Sequence, residues 1–318
     1  MSTPNEPNPA LDCWFLTGPT ASGKTEVGLE LAALLDAEII SLDSMAIYRG
    51  MDIGTAKPSA DQRSRVAHHL LDIVDANEPY SLDQYCDAAK ACINEIRGRG
   101  REVLFVGGTP LYLKSLLRGI FKGPEADWEF REQIQEELET VGVEALHARL
   151  EQVDPLSAAK LDPHDVRRII RALEVQRITG QPISHLQEQF EVARGADACK
   201  VFVLDWPRPA LHKRIEARVE RMFSVGLVDE VRELLRAHGD LGRTASQAVG
   251  YRETIDLVEG RSTREEAIER SKTRTRQFAK RQMTWFRSLN ECRWISAEEP
   301  LDPSKVARQI YEDGREGD

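Results

Sequence analysis

Gly18-Pro19-Thr20-Ala21-Ser22-Gly23-Lys24-Thr25 matches G-x-x-x-x-G-K-[ST] at every required position. The chemistry available to such an octapeptide is anion capture. Glycines let the backbone curl until its N–H groups converge on phosphate oxygens, and the N-terminus of the following helix adds partial positive charge. Lys24 supplies a point charge, and the Thr25 hydroxyl can reach a Mg²⁺ ion. Apolar Trp14-Phe15-Leu16 precedes the loop and a helical stretch, Glu26 to Leu35, follows it, a context that a chance glycine-rich turn lacks. The motif is shared with ATP-binding and other nucleotide-binding proteins, so it specifies phosphate and not hydrolysis.

Three other places could contribute to the same chemistry. Ile39-Ile40-Ser41-Leu42-Asp43 puts a carboxylate at the end of a second strand, where ligands lie in P-loop sheets. Asp43 can hold Mg²⁺, act as a base or cap a turn, and spacing leaves these readings open. Val106-Gly107-Gly108-Thr109-Pro110 ends a later strand without the acid a hydrolytic ATPase can carry there. Its two glycines imply close backbone approach to a ligand, or a simple tight turn. Arg214 and Arg218 lie four apart in a helical stretch and share a face. An arginine there can close over phosphates, or the pair can be a solvated basic edge.

The elements that position these residues are legible as short apolar runs alternating with helical stretches. Trp14 to Leu16, Glu38 to Leu42, His69 to Val74, Glu102 to Val106, Val201 to Leu204 and Arg293 to Ile295 read as buried strands. Such alternation predicts an α/β fold, a P-loop parallel sheet flanked by helices. Between Gly123 and Ala198 the strand signals vanish. Apolar spacing there turns helical in Phe130 to Val141, Val143 to Val153 and Val166 to Ile178, bounded by Asp154-Pro155, Asp162-Pro163 and Gly180-Gln181-Pro182. The expected organisation is therefore a core from 13–122 and 199–311, an all-helical insertion domain over 123–198, a disordered lead-in over 1–12 and a disordered tail over 312–318.

Composition narrows the setting. The chain has 318 residues and a net charge of −10, and no apolar run approaches the ~20 residues that span a bilayer. Five scattered cysteines without a CxxC pair suit a reducing cytoplasm and make zinc improbable. Averages conceal one segregated charge: Arg270 to Arg287 holds Arg270, Lys272, Arg274, Arg276, Lys280, Arg281 and Arg287 and no acid. A predicted helix from Ala267 to Leu289, with Ser262-x-x-Glu265 as a capping box, gathers Ala267, Ile268, Phe278, Trp285, Phe286 and Leu289 into one apolar stripe. Its basic flanks suit RNA phosphates, or mere solvation.

Taken together these segments resemble the tRNA dimethylallyltransferase (tRNA isopentenyltransferase) family over about Trp14 to Trp294. The resemblance rests on GPTASGKT at 18–25, DSMAIYRGMDIGTAKP at 43–58, VGGTPLY at 106–112, RRIIRALEV at 167–175, RIEARVERM at 214–222, VGYRE at 249–253 and RQFAKRQMTWFR at 276–287. The DIGTAKP and AKRQMTWFR segments are its most specific parts. It implies transfer of a dimethylallyl group from dimethylallyl diphosphate to N6 of the adenosine 3′ of the anticodon, with the base flipped from its loop into a tunnel.

Carried onto this chain, the resemblance makes Asp43 the general base, and Gly18 through Thr25 the diphosphate cradle. Lys24 and Thr25 hold diphosphate and Mg²⁺, and Arg218 neutralises the leaving group. Thr109 falls near the reacting nucleotide, with Asp43, Ser44, Met45 and Ala46 in the adjoining tRNA-contact segment. Arg131, the run Arg167, Arg168, Ile169, Ile170 and Arg171, and the run Gln247, Ala248, Val249, Gly250, Tyr251 and Arg252 match tRNA-contact positions. No candidate ligands exist for the zinc finger of eukaryotic members, so the chain resembles the shorter bacterial form. It is expected to be a cytoplasmic monomer that uses the anticodon stem-loop of tRNA and has no membrane partner. Rival readings are an adenylate isopentenyltransferase acting on free AMP or ADP, a small-molecule P-loop kinase, and a non-catalytic RNA-binding protein.

Overall fold

The structure is a computed structural model that describes residues 8–119, 121, 123–187 and 195–315. Six parallel strands form one sheet: β1 (Trp14–Thr17), β2 (Ala37–Ser41), β3 (His68–His69), β4 (Glu102–Val106), β5 (Lys200–Asp205) and β6 (Cys292–Ser296). Their order is β3-β2-β4-β1-β5-β6. β1 and β2 are buried along their whole length. That is why they are continuous apolar runs without alternation: a parallel sheet is covered on both faces. Register sets the active end. Leu16 pairs with Val106 and Ser41 pairs with Val106 from the other side, so the loops leaving β1, β2 and β4 emerge side by side.

The helices of the first half are α1 (Lys24–Leu35), α2 (Ala60–Arg65), α3 (Leu82–Gly98) and α4 (Pro110–Arg118). Capping boxes at Ser59 with Gln62 and at Ser81 with Gln84 start α2 and α3. The chain divides into two compact units, Met1–Leu117 with Ala193–Asp318, and Arg118–Val192. The second unit begins and ends a few residues before the 123–198 span drawn from sequence. Among its described residues it is all helical: α5 (Trp128–Val153), α6 (Pro155–Lys160), α7 (Val166–Thr179) and α8 (Ile183–Leu186). α5 bends at Gly142, whose φ of 81° interrupts the helix between its two apolar stretches. Phe130, Ile134, Leu146, Leu150, Ile169 and Leu173 form this unit's own core.

In the first unit the sheet pattern resumes with α9 (Arg208–Ser224), α10 (Leu227–His238), α11 (Arg243–Ser246), α12 (Tyr251–Val258), α13 (Arg264–Arg287) and α14 (Pro303–Arg315). α14 packs along α1, and its Gly314 sits so close to Trp14 that an added Cβ would meet the indole at 2.1 Å. Residues 312–315 are therefore helical, and not the frayed tail expected. Residues 8–12 likewise pack, with Ala10 fully buried and Asn8 donating to Leu116 O at 2.6 Å; the rest of the expected lead-in and tail lies outside the described residues.

Two further expectations are corrected. The strand expected from His69 to Val74 is only His68–His69, because Leu70 and Asp72 adopt left-handed φ values of 58° and 56°. Asp72 thereby accepts from Lys57 at 2.6 Å and Arg63 at 2.7 Å. At the adjoining strand, Glu38 binds Arg99 and His69, and these partners, the Arg99 bonds foremost, hold its carboxyl down to about 2. The capping box of α13 is Thr263 with Glu266, one residue later than expected, and the helix runs from Arg264 to Arg287, starting before Ala267 and ending before Leu289. Its buried face is Ala267, Ser271, Thr275, Ala279, Gln282 and Phe286. Small residues dominate it because α9 and α12 both pack against this helix. Phe278 points the same way yet is 36 % exposed, since it forms part of a cavity wall.

Candidate active site

Beyond the C-terminal ends of β1, β2 and β4 lies a cavity of about 1210 Å³, walled by the phosphate-binding loop, Asp43, the 52–60 segment, Gly107 and Gly108, one face of α9, and Phe278 and Gln282 from α13. The placement follows from topology, since ligand crevices in open α/β sheets form at these strand ends.

The loop is braced from three sides. Trp206 Nε1 donates to Ser22 O at 3.0 Å, and Arg214 Nε donates to Ala21 O at 2.8 Å. Arg214 also stacks 4.4 Å above the Trp206 ring and pairs with Glu299 at 2.7 Å. Thr20 N–H donates to Gln282 Oε1 at 2.9 Å. The Lys24 ammonium lies inside the loop, donating to Pro19 O at 2.7 Å and Gly18 O at 3.1 Å. Burial, and then repulsion from Arg218, pushes it down to about 7, against the opposing pull of Asp43 and Glu26.

Structure separates the two arginines that spacing could not. Arg214 is spent on the loop. Arg218, one turn further along α9, reaches Thr55 O at 3.3 Å and otherwise faces the cavity with no carboxylate partner among the described residues. Burial lowers its pKa, with Asp43 and Glu26 opposing. Other cations in the wall are neutralised: Lys57 binds Asp52 and Asp72, and Arg63 binds Asp72. Lys24, Arg218 and Arg221 remain without an ion pair among the described residues, a concentration of positive charge suited to a diphosphate.

Asp43 stands opposite. Its Oδ1 accepts from Met45 N–H at 2.8 Å and Ala46 N–H at 3.3 Å, so one oxygen caps the turn while the carboxylate lines the cavity. Thr109 supports the same turn, its Oγ1 accepting from Ser44 N–H at 3.1 Å. Gly107 is required by backbone: an added Cβ would lie 2.2 Å from Leu42 O. The close approach expected of the two glycines is thus to the chain itself, at Leu42 for Gly107 and at Gly18 and Gln282 for Gly108. Thr25 and Asp43 share the cavity. Two hard oxygen donors with room for water and phosphate fit Mg²⁺, which seldom takes an all-protein cage. No cluster of three His, Cys, Asp or Glu occurs among the described residues.

The expected tRNA-contact residues divide by exposure. Arg167 and Arg168 are exposed at the start of α7, Arg168 beside Asp165 at 3.3 Å. Ile169 and Ile170 are core residues at 0 % and 7 % exposure and offer no side-chain surface to RNA. Arg131 and Arg171 both bind the fully buried Glu174, Arg131 with two bonds of 2.8 Å, and Arg171 also donates to Pro124 O at 2.9 Å. In the other unit Gln247 and Arg252 are exposed and Val249 is half-buried, whereas Ala46, Ala248, Gly250 and Tyr251 are buried. The basic flanks of α13 are largely struts. Arg270 pairs with Asp256, Lys272 with Glu220 and Glu269, Arg274 with Glu253 and Arg276 with Glu216. Only Lys280, Arg281 and Arg287 of that run are exposed without an ion pair among the described residues.

Two supporting residues escaped sequence reading. Glu230 accepts from the N–H groups of Asp52, Ile53 and Gly54 and from the Tyr251 hydroxyl, fixing the segment that carries Thr55 into the cavity wall. Nothing near Glu230 in the chain signals partners so distant. Gln282 gave a weak signal, a polar residue on the inner side of a helix.

Fold and site define a P-loop α/β protein whose cradle faces a carboxylate across a shared cavity. Residues 46–289 match the model of the IPP transferase family. The chain is 51% identical over 294 residues to a tRNA dimethylallyltransferase of Rhodopirellula baltica, covering 90% of this chain and 88% of that one. It is 43% identical over 311 residues to that of Pelotomaculum thermopropionicum, covering 98% of each. Among solved structures, the tRNA isopentenylpyrophosphate transferase of Bacillus halodurans superposes with a TM-score of 0.68 at 36% identity, covering 96% of this chain and 97% of the other. A eukaryotic dimethylallyltransferase acting on tRNA gives 0.75 at 26% identity, covering 94% and 77%. The chain belongs to the IPP transferase family.

Proposed function

We propose that this chain is a prenyltransferase that moves the dimethylallyl group of dimethylallyl diphosphate to N6 of the adenosine 3′ of the anticodon in tRNA, releasing pyrophosphate. The observation that carries this reading is the pairing, in one cavity, of an uncompensated cation cluster with a carboxylate across from it. The cluster suits a leaving diphosphate. The carboxylate suits an amine that becomes acidic as it is alkylated.

In the reaction the N6 lone pair forms a bond to the allylic carbon as that carbon's bond to diphosphate oxygen breaks. Loop amides, Lys24 and Arg218 take up the charge growing on the leaving oxygen. Asp43 receives the N6 proton through the oxygen not engaged by the Met45 and Ala46 amides. Thr25 is the residue that would hold Mg²⁺, which when bound would supply further charge neutralisation to the diphosphate. The exposed Arg167, Arg168, Gln247 and Arg252 are the contacts offered to tRNA, and the enzyme acts as a cytoplasmic monomer.

The 118–192 unit favours a tRNA acceptor over free AMP, since a mononucleotide has no use for an added helical surface. The test is direct. Labelled dimethylallyl diphosphate is incubated with the protein and either tRNA or AMP. Label in the anticodon-loop adenosine is expected; label in AMP alone, or phosphate transfer from ATP instead, refutes the proposal.

A further inference from the structure

α13 meets the diphosphate cradle through one side chain. Gln282 is 4 % exposed, and both ends of its amide are engaged. Oε1 accepts from Thr20 N–H at 2.9 Å, and Nε2 donates to Gly108 O at 2.5 Å. Only this orientation serves, because the Thr20 amide can only donate and the Gly108 carbonyl can only accept. Thr20 belongs to the loop after β1 and Gly108 to the turn after β4, so one amide ties together the two chain segments that meet at the cradle. A Cβ added to Gly108 would lie 3.2 Å from Gly18 O and 3.6 Å from Lys24 Nζ. The peptide that Gln282 grips is therefore packed directly against the loop carbonyl and the ammonium that it must keep in place.

The side chain does more than fill space. Most of the inner face of α13 is small or apolar, and the Thr275 hydroxyl there donates within its own helix, to Ser271 O at 2.6 Å. Gln282 instead reaches two backbone groups more than 170 residues away in sequence. A loop amide claimed by Gln282 is not available to phosphate, so the contact also selects which N–H groups of the loop face the cavity.

We propose that Gln282 is a positioning residue for the diphosphate donor, acting through the curl of the 18–25 loop and through Lys24, without touching the reacting carbon or the adenine. The inference rests on the reading that the cavity takes a diphosphate. It is tested with Gln282→Met, which keeps length and bulk but has no hydrogen-bonding amide, and Gln282→Glu, which keeps the acceptor for Thr20 but turns an oxygen toward Gly108 O. Three quantities are measured on the full chain: affinity for inorganic diphosphate, donor KM and kcat in tRNA prenylation, and affinity for tRNA. Loss of two buried bonds is expected to weaken diphosphate binding and raise donor KM by about tenfold to a hundredfold in Gln282→Met. Gln282→Glu is expected to do no better, since its added charge repels the ligand. In both variants tRNA affinity stays within about twofold of the parent, because no RNA contact is removed. Unchanged diphosphate affinity and KM in Gln282→Met overturn the proposal. So does an equal loss of diphosphate and tRNA affinity, which marks a packing role. A parent protein that binds tRNA but not inorganic diphosphate overturns the underlying reading instead, a result separable from the other two.

Discussion

Replacing Asp43 by Asn separates the jobs that its carboxylate can perform. The turn should survive, because the Asn side-chain oxygen can still accept from Met45 N–H and Ala46 N–H, now held at 2.8 and 3.3 Å, and Asn caps about as well as Asp. What disappears is the anionic oxygen facing the cavity. A general base of this kind is worth ~10²–10⁴ in rate, so single-turnover transfer to tRNA should fall by that factor. Donor affinity should move much less, because two effects oppose. Removing a negative charge favours the incoming diphosphate, while Lys24 loses one of the groups that keep it protonated. The assay pairs single-turnover transfer with donor binding measured separately. If transfer falls by less than about threefold, Asp43 is only a turn cap and the catalytic assignment fails. If donor affinity collapses in parallel with rate, its role is metal or diphosphate binding instead.

Arg218→Ala should cost ~10²–10³ in turnover with tRNA affinity unchanged, since it removes one cation facing the leaving group; wild-type turnover would return Arg218 to the wall. Arg167→Ala with Arg168→Ala should weaken tRNA binding and flatten its salt dependence without altering diphosphate binding; an unchanged salt slope in a titration would remove both from the interface. Arg171→Ala is a different perturbation, because it strips a partner from the buried Glu174, and it should lower the melting temperature as well. Glu38 offers a pH test. Its folded pKa of about 2 lies below the ordinary 4.5, so the stability it contributes is full above about pH 4.5 and is lost as pH falls through about 2. Glu38→Gln should therefore be less stable at neutral pH and lose stability less steeply in that acid window, as followed by urea melts; parallel acid profiles would refute it.

Sequence by itself determined the outline. The octapeptide at 18–25, its flanking strand and helix, and the alternation of apolar runs suffice to specify a P-loop sheet, because local backbone geometry and two-sided burial each leave a local imprint on residue type. Asp43 and the Gly107-Gly108 turn were visible as strand ends for the same reason. The family segments were legible too, as strings of residues. Their division of labour was not. Arg214 and Arg218 have the same chemistry and face, and only Ala21 O, Trp206 and Glu299 around the first distinguish prop from cavity cation. The acid-free run on α13 suited an RNA surface or mere solvation, yet four of its cations are spent on Asp256, Glu220, Glu269, Glu253 and Glu216. Ile169, Ile170 and Tyr251 lie in segments expected to contact tRNA but are buried. A charge run records what a chain carries, whereas the tertiary structure decides which charges are neutralised. Glu230 and Gln282 show why: the backbone groups they bind lie more than 170 residues away in the chain, and no local pattern encodes a contact that only folding brings within hydrogen-bonding distance.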